Sequence, residues 1–179
     1  PQEFQAFPDA PQLVLERDGT WVYRRPNALP RAWIATQIEV LDDVATLARI
    51  HAPDFDPRTT ALVDARVVCP AAGSPEENRV ELVHYEGNRI EALVQGGGGM
   101  LIFSEIYYPG WYAAVDGKRV PLVQADYLLR ALCVPAGTHH IVLTYNPPLL
   151  KAGLIVTALT LPIIIVASVL LSRWESSKA

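Results

Sequence analysis

A chain of 179 residues is long enough to build one domain with a true hydrophobic core. Its formal net charge of −4, with no Lys/Arg-rich run, lacks the basic footprint of a nucleic-acid binder, so no nucleic acid is expected as a partner. Half the residues are hydrophobic although aromatics make up only 8%, and the excess is concentrated near the C-terminus.

In chain order, the first signal is LVLE, RDGT and WVYRR, two apolar stretches around Asp18-Gly19, a dipeptide suited to a hairpin turn. PNALPR interrupts with two prolines, and Trp33-Ile34-Ala35 resumes an extended segment. Residues 41–51, LDDVATLARIH, predict the only soluble helix. Leu41, Val44, Leu47 and Ala48 recur at helical spacing, with Ile50 nearby; Asp42 and Asp43 suit the positive N-terminal end and Arg49 the negative C-terminal end. Pro53 and Pro57 stop it, and so short a helix must pack on a sheet.

Strand then follows strand: RTTALVDARVV; RVELVHYE and NRIEALVQ around Gly87-Asn88; GMLIFSEIYY; WYAAVDG; KRVPLVQ; YLLRALCVP; THHIVLTYN. Alternation is plain from Arg79 to Glu86 and from Arg89 to Val94. The pattern predicts a mainly β fold, an antiparallel β-sandwich with one short α-helix, and no alternation of strands and helices that would signal parallel pairing. Gly96 to Gly99 reads as a flexible loop, because a phosphate-cradling loop needs a helix after it and a strand follows instead. Asn146-Pro147-Pro148 ends the last strand in a stiff, extended step.

Residues 152–172, AGLIVTALTLPIIIVASVLLS, carry no charge. About 20 such residues, rising about 1.5 Å each, cross a bilayer core of about 30 Å, so the stretch reads as one C-terminal transmembrane helix. Pro162 frees a backbone carbonyl near Ala158, and Thr157 and Thr160 stand near enough to serve it; such a proline favours a helix packed among other transmembrane helices of a larger parent over a lone anchor. Arg173 and Lys178 follow the span while Lys151 precedes it, which places the C-terminus in the cytoplasm and the β-domain outside. Tyr145 and Trp174 flank the helix as an aromatic belt would. The expected boundaries are 1–148 for the extracytoplasmic sandwich, 149–173 for the span and 174–179 for the cytoplasmic tail. Pro1 is not a start methionine, and the chain is read as a piece of a longer protein.

Cys69 and Cys133 are too few for a disulfide scaffold. Cys133 sits in an apolar run, so two free thiols are expected, with a single bridge the alternative in an extracytoplasmic domain. His139 and His140 are adjacent in a strand and point to opposite faces, His51 and His84 are isolated, and no metal site is expected. Asp42-Asp43 is a helix start rather than a catalytic pair, Glu76-Glu77 a solvated loop, and Ser74 and Ser104 lack the setting of a hydrolase elbow. No nucleophile, base and orienter assemble, so no catalytic residue and no cofactor is assigned to the chain.

The densest aromatic stretch is YYPGWYAAVDGKRVP at 107–121. Pro109-Gly110 forms a tight turn and Asp116-Gly117 a hairpin loop; between them Trp111, Ala113 and Val115 share one strand face and Tyr112 and Ala114 the other. Trp111 is therefore expected in the core. Tyr107, Tyr108, Trp111 and Tyr112 are the candidate contacts for a glycan or for the membrane interface, with Trp21 a further candidate.

LIFSEIYYPGWYAAVDGKRVPL, LLRALCVPAGTHHIVLTYNPP and KAGLIVTALT together resemble the C-terminal end of YfhO-family bacterial membrane proteins, as does VYRRPNALPRAW at 22–33. Arg25 departs from that pattern, which more commonly has Asn or an acidic residue. The resemblance implies a parent similar to the GT-C class of glycosyltransferases, using polyprenyl-phosphate-linked sugars to glycosylate cell-envelope polymers, with its catalytic acidic residue outside this chain. It also implies that the partners are the lipid bilayer, the parent's other transmembrane helices, and a lipid-linked sugar or envelope glycan. The rival expectation is a single-span, surface-anchored β-sandwich that binds a ligand.

Overall fold

The computed structural model describes residues 11–64, 67, 69 and 78–176, with backbone alone at 151 and 169–176. In chain order the elements are β1 (Gln12–Arg17), β2 (Thr20–Arg24), β3 (Ala32–Ala35), β4 (Gln37–Val40), α1 (Asp43–Ile50), β5 (Thr60–Val63), β6 (Arg79–Glu86) and β7 (Arg89–Gly96). Then come β8 (Gly99–Ile106), β9 (Trp111–Val115), β10 (Lys118–Val120), β11 (Val123–Ala125), β12 (Leu129–Val134), β13 (Gly137–Tyr145) and α2 (Pro148–Ser176). The fold is mainly β, as expected.

Two sheets make the sandwich, one ordered β10-β9-β13-β7-β6 and the other β3-β8-β12-β11-β5-β4. Alternation decides what lies between them. Ala32, Ile34, Leu101, Phe103, Leu132 and Val134 point inward from the second sheet, against Ile90, Val94, Ala113, Val115, Ile141 and Leu143 from the first. A second cluster lies on the opposite face of the β8 sheet, where Trp33, Met100, Ile102 and Ala131 pack with Ile38, Val67, Cys69 and Cys133. The two-residue turns match their sequence signals: Asp18 and Gly19 have φ of 50° and 76°, Asp116 and Gly117 50° and 78°.

Four expectations local to the sandwich are corrected. β4 pairs with β5 in parallel, Gln37 opposite Thr60 and Val40 opposite Val63, with α1 as the crossover. Parallel neighbours need such a connection, and β4 is too short for periodicity to reveal. Second, α1 does start on Asp42, whose side chain accepts from the Ala45 N–H at 2.8 Å, but its apolar stripe is not its buried face. Val44 is 79% exposed while Thr46 is buried. Arg49 secures the helix instead, donating to both carboxylate oxygens of Glu39 on β4 at 3.0 and 3.2 Å and to Asp54 at 3.1 Å.

Third, Gly96 to Gly99 is close-packed rather than a flexible loop. A Cβ on Gly98 would lie 2.7 Å from backbone atoms of Val134, Pro135 and Ala136, and one on Gly99 2.6 Å from the Ala35 carbonyl. Fourth, Cys69 and Cys133 form a disulfide with Cα atoms 5.1 Å apart, against the expectation of free thiols. Cys133 points to the outer face of its sheet, where the bridge holds the chain at residue 69 over the second cluster.

At the end of the sandwich, Pro148 is the first residue of α2, a position where its missing N–H is harmless, so only Pro147 bridges strand and helix. Pro148–Ser168 is 21 residues with a mean hydropathy of 2.3, long and apolar enough to cross a membrane. Thr157 and Thr160 donate to the Gly153 and Val156 carbonyls, both at 2.9 Å, and not to the Ala158 carbonyl they were expected to serve. Ser74, Glu76, Glu77 and Lys178 lie outside the described residues, as do the side chains of Lys151, Arg173 and Trp174.

Candidate functional site

Register places the aromatic stretch at the end of the sandwich from which the membrane helix departs. β13 ends at Tyr145, opposite Trp111 on β9, and α2 begins three residues later. The Tyr108-Pro109-Gly110-Trp111 turn packs against this exit. Gly110 has a φ of 102°, and a Cβ there would lie 3.0 Å from the Tyr145 ring and 3.1 Å from Pro147, so glycine is needed twice over. The Gly110 carbonyl accepts from the Asn146 N–H at 2.8 Å, tying turn to exit.

The two faces of β9 then part company, as alternation requires. Trp111 is half-buried against the core. Its ring centre lies 5.4 Å from that of Tyr145, and the Arg130 guanidinium stacks 4.1 Å from it. Tyr112 faces outward, with the Arg119 guanidinium 4.0 Å from its ring. Tyr108, 60% exposed, joins Tyr112 and Tyr145 in lining a groove of about 760 Å³, whose floor is Gly110, Pro147 and the first turn of α2. Thus Tyr108 and Tyr112 come together at one site. Tyr107 is half-buried, its N–H donating to the Leu128 carbonyl at 2.7 Å, and it does not line the groove. Trp111 stands behind it, and Trp21 lies on β2, outside it. Pro109 and Gly110 shape the turn, and Asp116 and Gly117 the hairpin at the far end of β9.

Sequence reasoning missed three members. From the sequence, Tyr145 reads only as part of an aromatic belt and Arg119 as part of a strand. Arg130 was passed over, although a lone charge inside YLLRALCVP was a visible signal. It is 5% exposed, and its Nε and Nη1 are buried without hydrogen-bond partners. Burial pulls its pKa down, while Glu105 and Tyr85 oppose the fall. Arg31 donates to Glu105 at 3.2 Å and to the Tyr85 hydroxyl at 3.0 Å, and Tyr85 itself donates to Glu105. That hydrogen bond to Glu105 is the main reason the Tyr85 phenol is raised above its usual range.

At the opposite end of β13, His139 and His140 have separate partners, as their alternation requires. His139 Nδ1 lies 2.7 Å from Asp116, while His140 Nε2 lies 2.9 Å from Glu91. Asp116 holds His139 above its usual pKa and is itself lowered by that hydrogen bond. Among the described residues no group of three or more His, Cys, Asp or Glu could hold a metal ion.

The strands that build the groove and the start of α2 fall within one match to a known family. Residues 70–157 match the family model described as "Bacterial membrane protein YfhO". Over these residues the chain is similar to the YfhO family. The match runs unbroken from the sandwich strands into the first turns of α2, so the YfhO signature spans the junction that carries the groove. The match to a membrane-protein family and a helix long and apolar enough to cross the bilayer together support a membrane location. No curated protein and no solved structure matches the chain.

Proposed function

We propose that this chain is the outer, non-catalytic domain and a membrane span of a GT-C-like glycosyltransferase that moves sugars from a polyprenyl-phosphate carrier to a cell-envelope polymer. The observation that carries the reading is the family match running across the junction of sandwich and span. The groove at that junction, aromatic and open, supports a role in orienting the acceptor glycan, because tyrosine rings stack on sugar faces while their hydroxyls hydrogen-bond. In this reading the sandwich lies outside the bacterial cytoplasmic membrane, residues 1–148 are the outer domain, 149–173 the span and 174–179 a cytoplasmic tail, and α2 packs against other helices of the parent. Pro162 supports that packing, since the Ala158 carbonyl it frees receives neither threonine hydroxyl.

The test replaces Tyr108 and Tyr112 with Ala in the intact parent protein and follows envelope glycosylation in cells. Lost glycosylation at normal protein level is the expected result. Unchanged glycosylation sinks the acceptor role. If deleting the parent gene leaves every envelope polymer's sugar content intact, the transferase reading fails and a surface-anchored binding module takes its place.

A further inference from the structure

The groove does not stop at Tyr112. That side chain also lines a second groove, of about 410 Å³, which climbs the outer face of the β9–β13 sheet past Thr144, Asn146 and Arg119. The two meet at Tyr112, and together they form a track with ordered polarity. Its foot, Leu149 and Leu150, is exposed and belongs to the helix that enters the bilayer. Next to the foot stand Asn146, Thr144 and the tyrosines, Thr144 opposite Tyr112 in register, and the head carries the Arg119 guanidinium. None of the lining residues is acidic, and among the described residues no carboxylate pairs with Arg119, whose guanidinium rests on the Tyr112 ring. An apolar foot continuous with the membrane surface, below a cationic head, is the mirror image of an anionic amphiphile standing in the outer edge of a bilayer.

We propose that this track binds an anionic glycerophospholipid of the surrounding membrane. The acyl chain lies along Leu149 and Leu150. The phosphate sits between the tyrosine hydroxyls and Arg119, and Thr144 and Asn146, on the helix side of Arg119, meet the glycerol ester oxygens. The occupant is a structural lipid that fixes the height and tilt of the sandwich over the bilayer. The inference is independent of the transferase reading and needs no sugar.

The test reconstitutes the whole chain in vesicles of phosphatidylcholine with phosphatidylglycerol, extracts it in mild detergent, and measures co-purified lipids by mass spectrometry. Phosphatidylglycerol is expected to be enriched about five-fold over its bulk ratio, the effect of one basic side chain held near an anionic headgroup. Arg119→Gln is expected to return the ratio to bulk. Lys118→Gln removes the same charge from the neighbouring position, whose side chain points to the other face of β10, and is expected to leave the enrichment in place. An intact disulfide and an unchanged melting temperature establish that each variant is folded. No enrichment in the parent chain overturns the proposal, as does equal loss in both variants, which would mean a diffuse charge effect. Enrichment that survives Arg119→Gln also overturns it.

Discussion

The Arg130 guanidinium lies 4.1 Å from the ring of Trp111, closing the end of the sandwich core nearest the membrane helix. The contact is cation–π, and it stands in for hydrogen bonds that the buried Nε and Nη1 do not make. Trp111→Ala is expected to destabilise the domain by about 3 kcal/mol or more, combining a cavity with the loss of that ring face. Arg130→Met, which removes a poorly satisfied charge and keeps the volume, is expected to change stability by about 1 kcal/mol or less. The double variant should fall short of the sum of the two by about 1–2 kcal/mol. Denaturant melts of the four proteins supply the cycle; strict additivity would mean the stacking carries no energy.

The Cys69–Cys133 bridge closes a sequence separation of 64 residues over the outer face of the β8 sheet. By loop-closure entropy it is expected to contribute about 4 kcal/mol. Alkylation under denaturing conditions should label no thiol before reduction and two after it. Reduction should lower the unfolding midpoint, and Cys133→Ser should reproduce the loss.

Asp126 accepts from the Leu62 N–H at 2.9 Å through one carboxylate oxygen, while the other is buried without a partner. Burial raises its pKa from 3.8 to about 6. A carboxyl raised on folding binds its proton more tightly in the native state, so the domain should lose stability as pH climbs from about 4 to about 6. The full loss, of order 3 kcal/mol, is in place above that window. Asp126→Asn keeps the acceptor for Leu62 and tolerates the positive φ of 48°. It is expected to raise the melting temperature at pH 7.5 and to flatten this part of the pH profile; a lower melting temperature at pH 7.5 would contradict the assignment.

Gly110 and Gly117 both adopt positive φ, yet only Gly110 is crowded, with the Tyr145 ring at 3.0 Å from a built Cβ while Gly117 meets nothing within 4 Å. Gly110→Ala should therefore cost about 2–3 kcal/mol and perturb the groove, seen as a change in Tyr145 fluorescence or ring resonances. Gly117→Ala should cost about 1 kcal/mol and leave the groove alone. Equal losses would show that strain alone, not the close approach, governs Gly110.

What the sequence determined by itself is whatever is settled within a few residues. Asp18-Gly19 and Asp116-Gly117 turn because their backbones reach positive φ, Asp42 starts a helix because its carboxylate meets the Ala45 N–H, and residues 152–172 read as a span because they are mostly apolar and carry no charge. Alternation likewise sent Trp111 to the core and Tyr112 to the outer face. The tertiary structure alone decided which distant segments meet. It paired β4 with β5 across α1, bridged Cys69 to Cys133, packed Gly98 and Gly99 against neighbouring backbone, and drew Tyr108, Tyr112 and Tyr145 around one groove. These contacts depend on strand register and on how two sheets stack. Both are set by the summed burial of many side chains from remote positions, and no local stretch of residues encodes that sum.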